Sequence, residues 1–224
     1  MKIPYVNLSS QYSKERIKLL SVIDKVLKTG QYVGGDEVKK FEKNISSLLK
    51  IKYCIALNSG TDALTLGLHA LGVRKNDEVI TTSNSFIAST AVIVHLGAKP
   101  IFVDVKLDQS INPELIEKSI TKKTKAIMVV HLTGRICDMD SVNKISRKYN
   151  IPIIEDAAQS IGSKYNKKYA GTLGNIGCFS AHPLKNLNAL GDSGYLTTNS
   201  SKIAKFIKDV RNHGMTNRNK VNNF

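Results

Sequence analysis

The strongest constraint on the fold of this 224-residue chain is a regular alternation of short apolar runs with helical patterns. The runs Tyr53–Leu57, Glu78–Thr81, Pro100–Val105, Ala126–His131, Pro152–Asp156, Ile176–Ser180 and Gly194–Thr197 read as strands. Helical segments near 61–71, 86–96, 112–119, 138–149 and 201–212 separate them, several opening on Asn, Asp or Ser caps. Strand and helix in alternation is the βαβ signature of a largely parallel sheet covered on both faces. The pattern therefore predicts an α/β fold with one mostly parallel seven-stranded sheet flanked by helices. Two more helical stretches, near 9–28 and 36–50, precede the sheet and are separated by the glycine-punctuated turn 29–35. Residues 1–35 read as an N-terminal helical arm and 36–214 as the main domain. The polar, Asn-rich stretch 215–224 reads as an unpatterned tail.

Composition narrows the function classes. Hydrophobic residues make up 42% and charged residues 23%, an ordinary globular balance in a chain long enough for one well-buried domain. No apolar run approaches the ~20 residues that cross a bilayer, and the start lacks the apolar core of a signal peptide. The expectation is a cytoplasmic protein with no membrane partner. Cys54, Cys137 and Cys178 are odd in number and far apart, which suggests neither a disulfide framework nor a metal site. The formal net charge of +15 raises nucleic-acid binding. Yet its lysines spread along helix faces, as at Lys14, Lys18, Lys25 and Lys28, and aromatic residues are only 6%. The charge reads as solvated surface, with some use in attracting a phosphorylated substrate.

Three segments could carry chemistry. Asn58-Ser59-Gly60-Thr61-Asp62-Ala63-Leu64 leaves a strand and opens a helix, where free N–H groups and the positive helix end favour a phosphate. The same small-residue turn also serves as a purely structural cap. Asp156 arrives at the carboxyl end of a buried strand, where open α/β sheets place ligands; it reads equally as a helix cap or as a charge held for a cofactor. Lys185 follows a buried strand and precedes Gly191-Asp192-Ser193-Gly194, a setting that desolvates an amine and frees it for Schiff-base chemistry, although most lysines are only surface. Together a phosphate cradle, an acid and a lysine are the parts of a site for pyridoxal 5′-phosphate (PLP). The carboxylate would keep the pyridine nitrogen protonated and the amine would bind the aldehyde. Phe86 offers a stacking face or, equally, a core ring.

These segments, with Leu96-Gly97-Ala98-Lys99-Pro100, His131-Leu132-Thr133-Gly134, Glu155-Asp156-Ala157-Ala158-Gln159-Ser160, Ser180-Ala181-His182-Pro183-Leu184-Lys185-Asn186-Leu187 and Arg211-Asn212-His213-Gly214, occur in an order that resembles the DegT/DnrJ/StrS family of sugar aminotransferases. The resemblance implies the large domain of the PLP-dependent transferase fold type I, with residues 36–214 as the PLP-binding domain. It implies that Lys185 carries PLP and moves the reacting proton, and that Asp156 pairs with the pyridine nitrogen. Gln159 would contact the ring hydroxyl, Phe86 would stack, and Gly60, Thr61 and Ser180 would hold the phosphate. The implied reaction moves an amino group from an amino acid, commonly glutamate, to a keto group of a nucleotide-linked sugar, in a homodimer. Some members are dehydratases with His in place of the lysine; Lys185 points away from them. The stretch 188–192 looks closer to members that aminate C3 of the sugar than C4. Ser193 stands where the family usually has Gly. Members are roughly half as long again, so the resemblance also implies that a small C-terminal domain is missing, whether the chain is a fragment, a truncated gene or half of a split enzyme.

Overall fold

The computed structural model describes residues 3–217 and 220–221. In chain order its elements are α1 (Leu8–Thr29), α2 (Asp36–Leu49), β1 (Tyr53–Leu57), α3 (Gly60–Ala70), β2 (Glu78–Thr82), α4 (Ala88–His95), β3 (Lys99–Val103), α5 (Pro113–Lys118), β4 (Thr124–Val130), α6 (Met139–Tyr149), β5 (Ile153–Asp156), β6 (Lys164–Tyr165), β7 (Lys168–Tyr169), β8 (Ile176–Ser180), β9 (Gly194–Thr198), α7 (Ser201–Val210), β10 (Met215–Asn217) and β11 (Lys220–Val221). A 3-10 turn, Leu132–Gly134, follows β4.

The seven expected strands form one sheet in the order β1-β9-β8-β5-β4-β2-β3. From β8 to β3 every pairing is parallel, whereas β9 runs antiparallel to both β1 and β8. Reversing one strand leaves β1 pointing the same way as β8, so the carboxyl ends of β1, β2, β4, β5 and β8 share one edge of the sheet.

The strands read as near-continuous apolar runs because both faces are covered. Successive side chains alternate between faces. Ile154 and Met128 join Ile55, Leu64, Leu68, Val92, Ile93, Leu196 and Ile207 beneath α3, α4 and α7. Ile153 and Ile127 join Ile80, Ile116, Val129, Val142 and Ile145 beneath α5 and α6. Each fully buried aliphatic side chain contributes about 1.5–3 kcal/mol, so the two layers dominate stability. α2 covers the β1–β9 end, where Ile45 and Leu49 pack with Cys54, Phe179 and Tyr195. The edge strand β1 is closed off by an ion pair: Glu42 Oε1 accepts the Ala56 N–H at 3.0 Å, while Arg211 bonds both Glu42 and the Ala56 carbonyl. Arg211 thereby has a structural task, because the clamp satisfies the strand's outward backbone groups.

Two features depart from the sequence reading. Lys164–Tyr165 and Lys168–Tyr169 form a hairpin whose two-residue turn, Asn166-Lys167, has φ of 47° and 67°. In the stretch read as unpatterned, Met215–Asn217 pairs antiparallel with Lys220–Val221. α1 buries none of its side chains. The three cysteines are buried and unpaired.

Candidate active site

The shared carboxyl edge encloses a cavity of about 460 Å³ whose lining includes Gly60, Thr61, Phe86, Asp156, Gln159, Ser180 and Lys185. All seven residues singled out in the sequence therefore meet in one place, although they arise from four separate segments.

α3 starts at the cavity wall, with Ser59 as its cap: the Ser59 hydroxyl accepts the Asp62 N–H at 3.0 Å. The first-turn backbone at Gly60 and Thr61, which an α-helix leaves without internal acceptors, borders the cavity. A Cβ on Gly60 would lie 2.8 Å from the Ser180 Cβ, and one on Gly194 would lie 2.3 Å from the Ser59 carbonyl carbon. Glycine at these two positions lets the ends of β8 and β9 press against the α3 turn.

Lys185, half-buried, sits in a tight turn after β8. Its N–H donates to the His182 carbonyl at 2.8 Å, and the Ala189 N–H donates to the Ala181 carbonyl at 2.8 Å. Asn188 ties this loop to α1 through a reciprocal amide contact with Gln11. The Ser193 carbonyl accepts the Ala181 N–H at 2.7 Å, and Ser193 has negative φ, so a side chain is accommodated there without strain.

Asp156 is buried at the end of β5. Its Oδ2 accepts the Ser89 hydroxyl at 2.6 Å and its Oδ1 the Ala158 N–H at 3.2 Å. Burial pushes its carboxyl above the usual range, against the pull of these two bonds and of His131 and Lys185. The Gln159 amide oxygen accepts the Thr133 N–H at 2.7 Å, which assigns the amide's NH₂ as the end left for a ligand. Thr133 makes this bond from a left-handed conformation, φ 54°, costly for a β-branched residue. Phe86 lies two residues before α4 rather than at its head and is 69% exposed, so it is a wall of the cavity and not a core ring.

Four polar residues at or behind the cavity wall had no assigned part in the sequence reading. Ser85 and Ser89 stand with their hydroxyls 2.7 Å apart; their i, i+4 spacing ahead of an apolar helix was the available signal. Glu155 is fully buried on the opposite face of β5. It accepts His131 Nε2 at 2.9 Å and the backbone N–H groups of Gly171, Leu173 and Gly174 at 2.7, 2.7 and 2.6 Å. His131 Nδ1 faces the Cys137 N–H at 3.3 Å, so in the neutral ring the proton sits on Nε2.

This arrangement of cradle, acid and lysine coincides with a match of residues 13–224 to the DegT/DnrJ/EryC1/StrS aminotransferase family. The chain belongs to that family. It is 44% identical over 213 residues to the dTDP-3-amino-3,6-dideoxy-alpha-D-galactopyranose transaminase of Aneurinibacillus thermoaerophilus, covering 95% of this chain and 59% of that protein. Among solved structures it resembles S. venezuelae DesV in complex with a ketimine intermediate, with a TM-score of 0.95 and 33% identity over 99% of this chain and 60% of that one. Bacillus subtilis NtdA with bound cofactor PMP superposes with a TM-score of 0.93 and 36% identity, over all of this chain and 51% of that one. The chain thus spans less than two thirds of the length of each of these proteins.

Proposed function

We propose that this chain binds PLP in the cavity and belongs to an enzyme that transfers an amino group from an amino acid, such as glutamate, to a keto group of a nucleotide-linked sugar. The observation that carries the reading is the convergence of a half-buried lysine, a buried under-coordinated carboxylate and a glycine-backed helix N-terminus on one cavity. The residues fit the cofactor. Asp156 has acceptor capacity beyond its two protein donors and, among the described residues, no cation in contact, which suits a protonated pyridine nitrogen. The α3 turn at Gly60 and Thr61, with Ser180 packed against it at the cavity wall, suits a phosphate.

When bound, the cofactor supplies an electron sink for the charge that develops at a substrate α-carbon. The chain's residues do the rest. Lys185 would hold the cofactor through its amine and would serve as the base and acid that moves the reacting proton. Asp156 would hold the ring nitrogen in its protonated form, Gln159 would offer its NH₂ to the ring hydroxyl, and Phe86 would stack and keep water off one face. A lysine at position 185 supports amino transfer over dehydration. The relative named for a 3-amino sugar supports amination at C3.

We take residues 1–35 as an arm, 36–214 as the PLP-binding domain and the functional unit as a homodimer in the cytoplasm. The arm helix α1 supports the dimer, since Ile17, Val22 and Leu27 expose apolar surface that a second copy would cover. Unpaired buried cysteines suit a reducing compartment.

The test is to mix the chain with PLP, reduce with borohydride and map the adduct. The label is expected on Lys185 and absent from Lys185→Ala, whose stability should change by less than ~0.5 kcal/mol because a half-exposed side chain is lost. A label elsewhere, or one retained by Lys185→Ala, overturns the assignment.

A further inference from the structure

Ser85 and Ser89 lie on the path from β2 into α4. A serine within a helix commonly returns its proton to a carbonyl one turn back. Ser89, fully buried in the first turn of α4, instead donates to Asp156 Oδ2 at 2.6 Å across the gap to β5. A hydroxyl has a single proton to give. With that proton committed to Asp156, the 2.7 Å contact between the two hydroxyls makes Ser85 the donor and Ser89 the acceptor. The chain of bonds is therefore directed from Ser85, which borders the cavity, through Ser89 to the carboxylate. The Ala158 N–H holds the other carboxylate oxygen, so the plane of the carboxyl is fixed from both sides.

The remaining titratable groups facing Asp156 are His131 at the end of β4, Lys185 in the turn after β8 and the Cys178 thiol on β8. None of these is hydrogen-bonded to the carboxylate among the described residues; Ser89 is the side chain that touches it.

We propose that Ser89, with Ser85 behind it, is a positioning residue that holds the Asp156 carboxylate turned into the cavity, where it can pair with the cofactor's protonated pyridine nitrogen. The inference deepens the cofactor reading above and rests on it. A hydrogen bond to a charged group is among the stronger ones, and losing it should be felt about tenfold or more in an equilibrium that depends on that charge.

The experiment uses the whole chain with ¹³C-carboxyl-labelled aspartate, with the Asp156 signal assigned by its loss in Asp156→Asn. Two quantities are read in the unsubstituted chain, Ser89→Ala, Ser89→Thr and Ser85→Ala: the titration midpoint of Asp156 without cofactor, and PLP affinity by absorbance. Ser89→Ala is expected to raise the midpoint by about one pH unit and to weaken PLP binding about tenfold. Ser85→Ala should move both in the same direction by less, and Ser89→Thr, which keeps the hydroxyl, should restore both. A folded Ser89→Ala with an unchanged midpoint and unchanged affinity overturns the proposal, as does a folded Ser89→Thr impaired like alanine. If Ser89→Ala does not fold, Ser85→Ala decides on the same two readings. If the midpoints move as expected but the unsubstituted chain takes up no PLP, the hydroxyl pair keeps its hold on Asp156 and the cofactor reading falls.

Discussion

Glu155 and Asp156 are consecutive carboxylates on one buried strand, yet β5 sends them into regions of opposite character. Glu155 enters the layer under α5 and α6, where His131 and three backbone N–H groups of the 171–174 loop fill its oxygens. Asp156 enters the cavity side with two donors, one of them a serine. Burial penalises both charges. Where the fold supplies every partner the carboxylate is architecture, and where the fold stops short beside a cavity the unused acceptor capacity is available to a ligand.

The largest expected effect lies on the architectural side. Glu155→Ala leaves four donors without an acceptor and should cost about 3–5 kcal/mol in urea unfolding. A loss below ~1 kcal/mol would break the comparison, since the loop would then not depend on the carboxylate.

Asp156→Asn should do the reverse, raising the stability of the cofactor-free chain at pH 7 by about 1–2 kcal/mol while slowing the half-reaction with glutamate when placed in a protein of the relatives' full length. The sign follows from burial. Because Asp156 binds its proton more tightly folded than unfolded, its favourable contribution is complete below the unfolded carboxyl range and disappears as pH rises through the folded value. Above that range it is a buried charge at a net cost, which asparagine removes. The gain over Asp156 should therefore shrink as pH falls, and a gain independent of pH would assign it to packing.

The smallest effect sharpens the same division. Thr133 holds Gln159 from a left-handed conformation, and Thr133→Gly keeps the N–H donor while releasing backbone strain, so unfolding should report a gain of about 0.5–1 kcal/mol. A loss would mean that the threonine side chain does more than tolerate its conformation.

The sheet and part of the cavity lining were legible because each rests on a local signal: apolar runs of strand length for the sheet, and small-residue or acidic turns at strand ends for Gly60, Thr61, Asp156 and Lys185, whereas Gln159 and Ser180 came from the family resemblance. The family resemblance added the role of each residue, which spacing alone left open between cap and ligand. Three things were not legible. The reversal of β9 depends on its pairing with β1, a contact between residues 53 and 198 that no local pattern encodes. The partners of Glu155 come from backbone N–H groups, which carry no side-chain signature. The β6–β7 hairpin turns on Asn166-Lys167, a weaker sign than the usual Asn-Gly.

The strand order has a consequence for how the chain is made. Of the seven strands β1 leaves the ribosome first and β9 last, yet they are neighbours in the finished sheet. At ordinary rates of synthesis β1 waits on the order of ten seconds for its partner β9. Throughout that interval Cys54 and Ile55 have α2 and α3 to cover their side chains but no sheet to occupy their backbone. Early helix docking therefore guards the nascent chain, and mutations that loosen α2 should show first as lower yield of soluble protein rather than as an altered final structure.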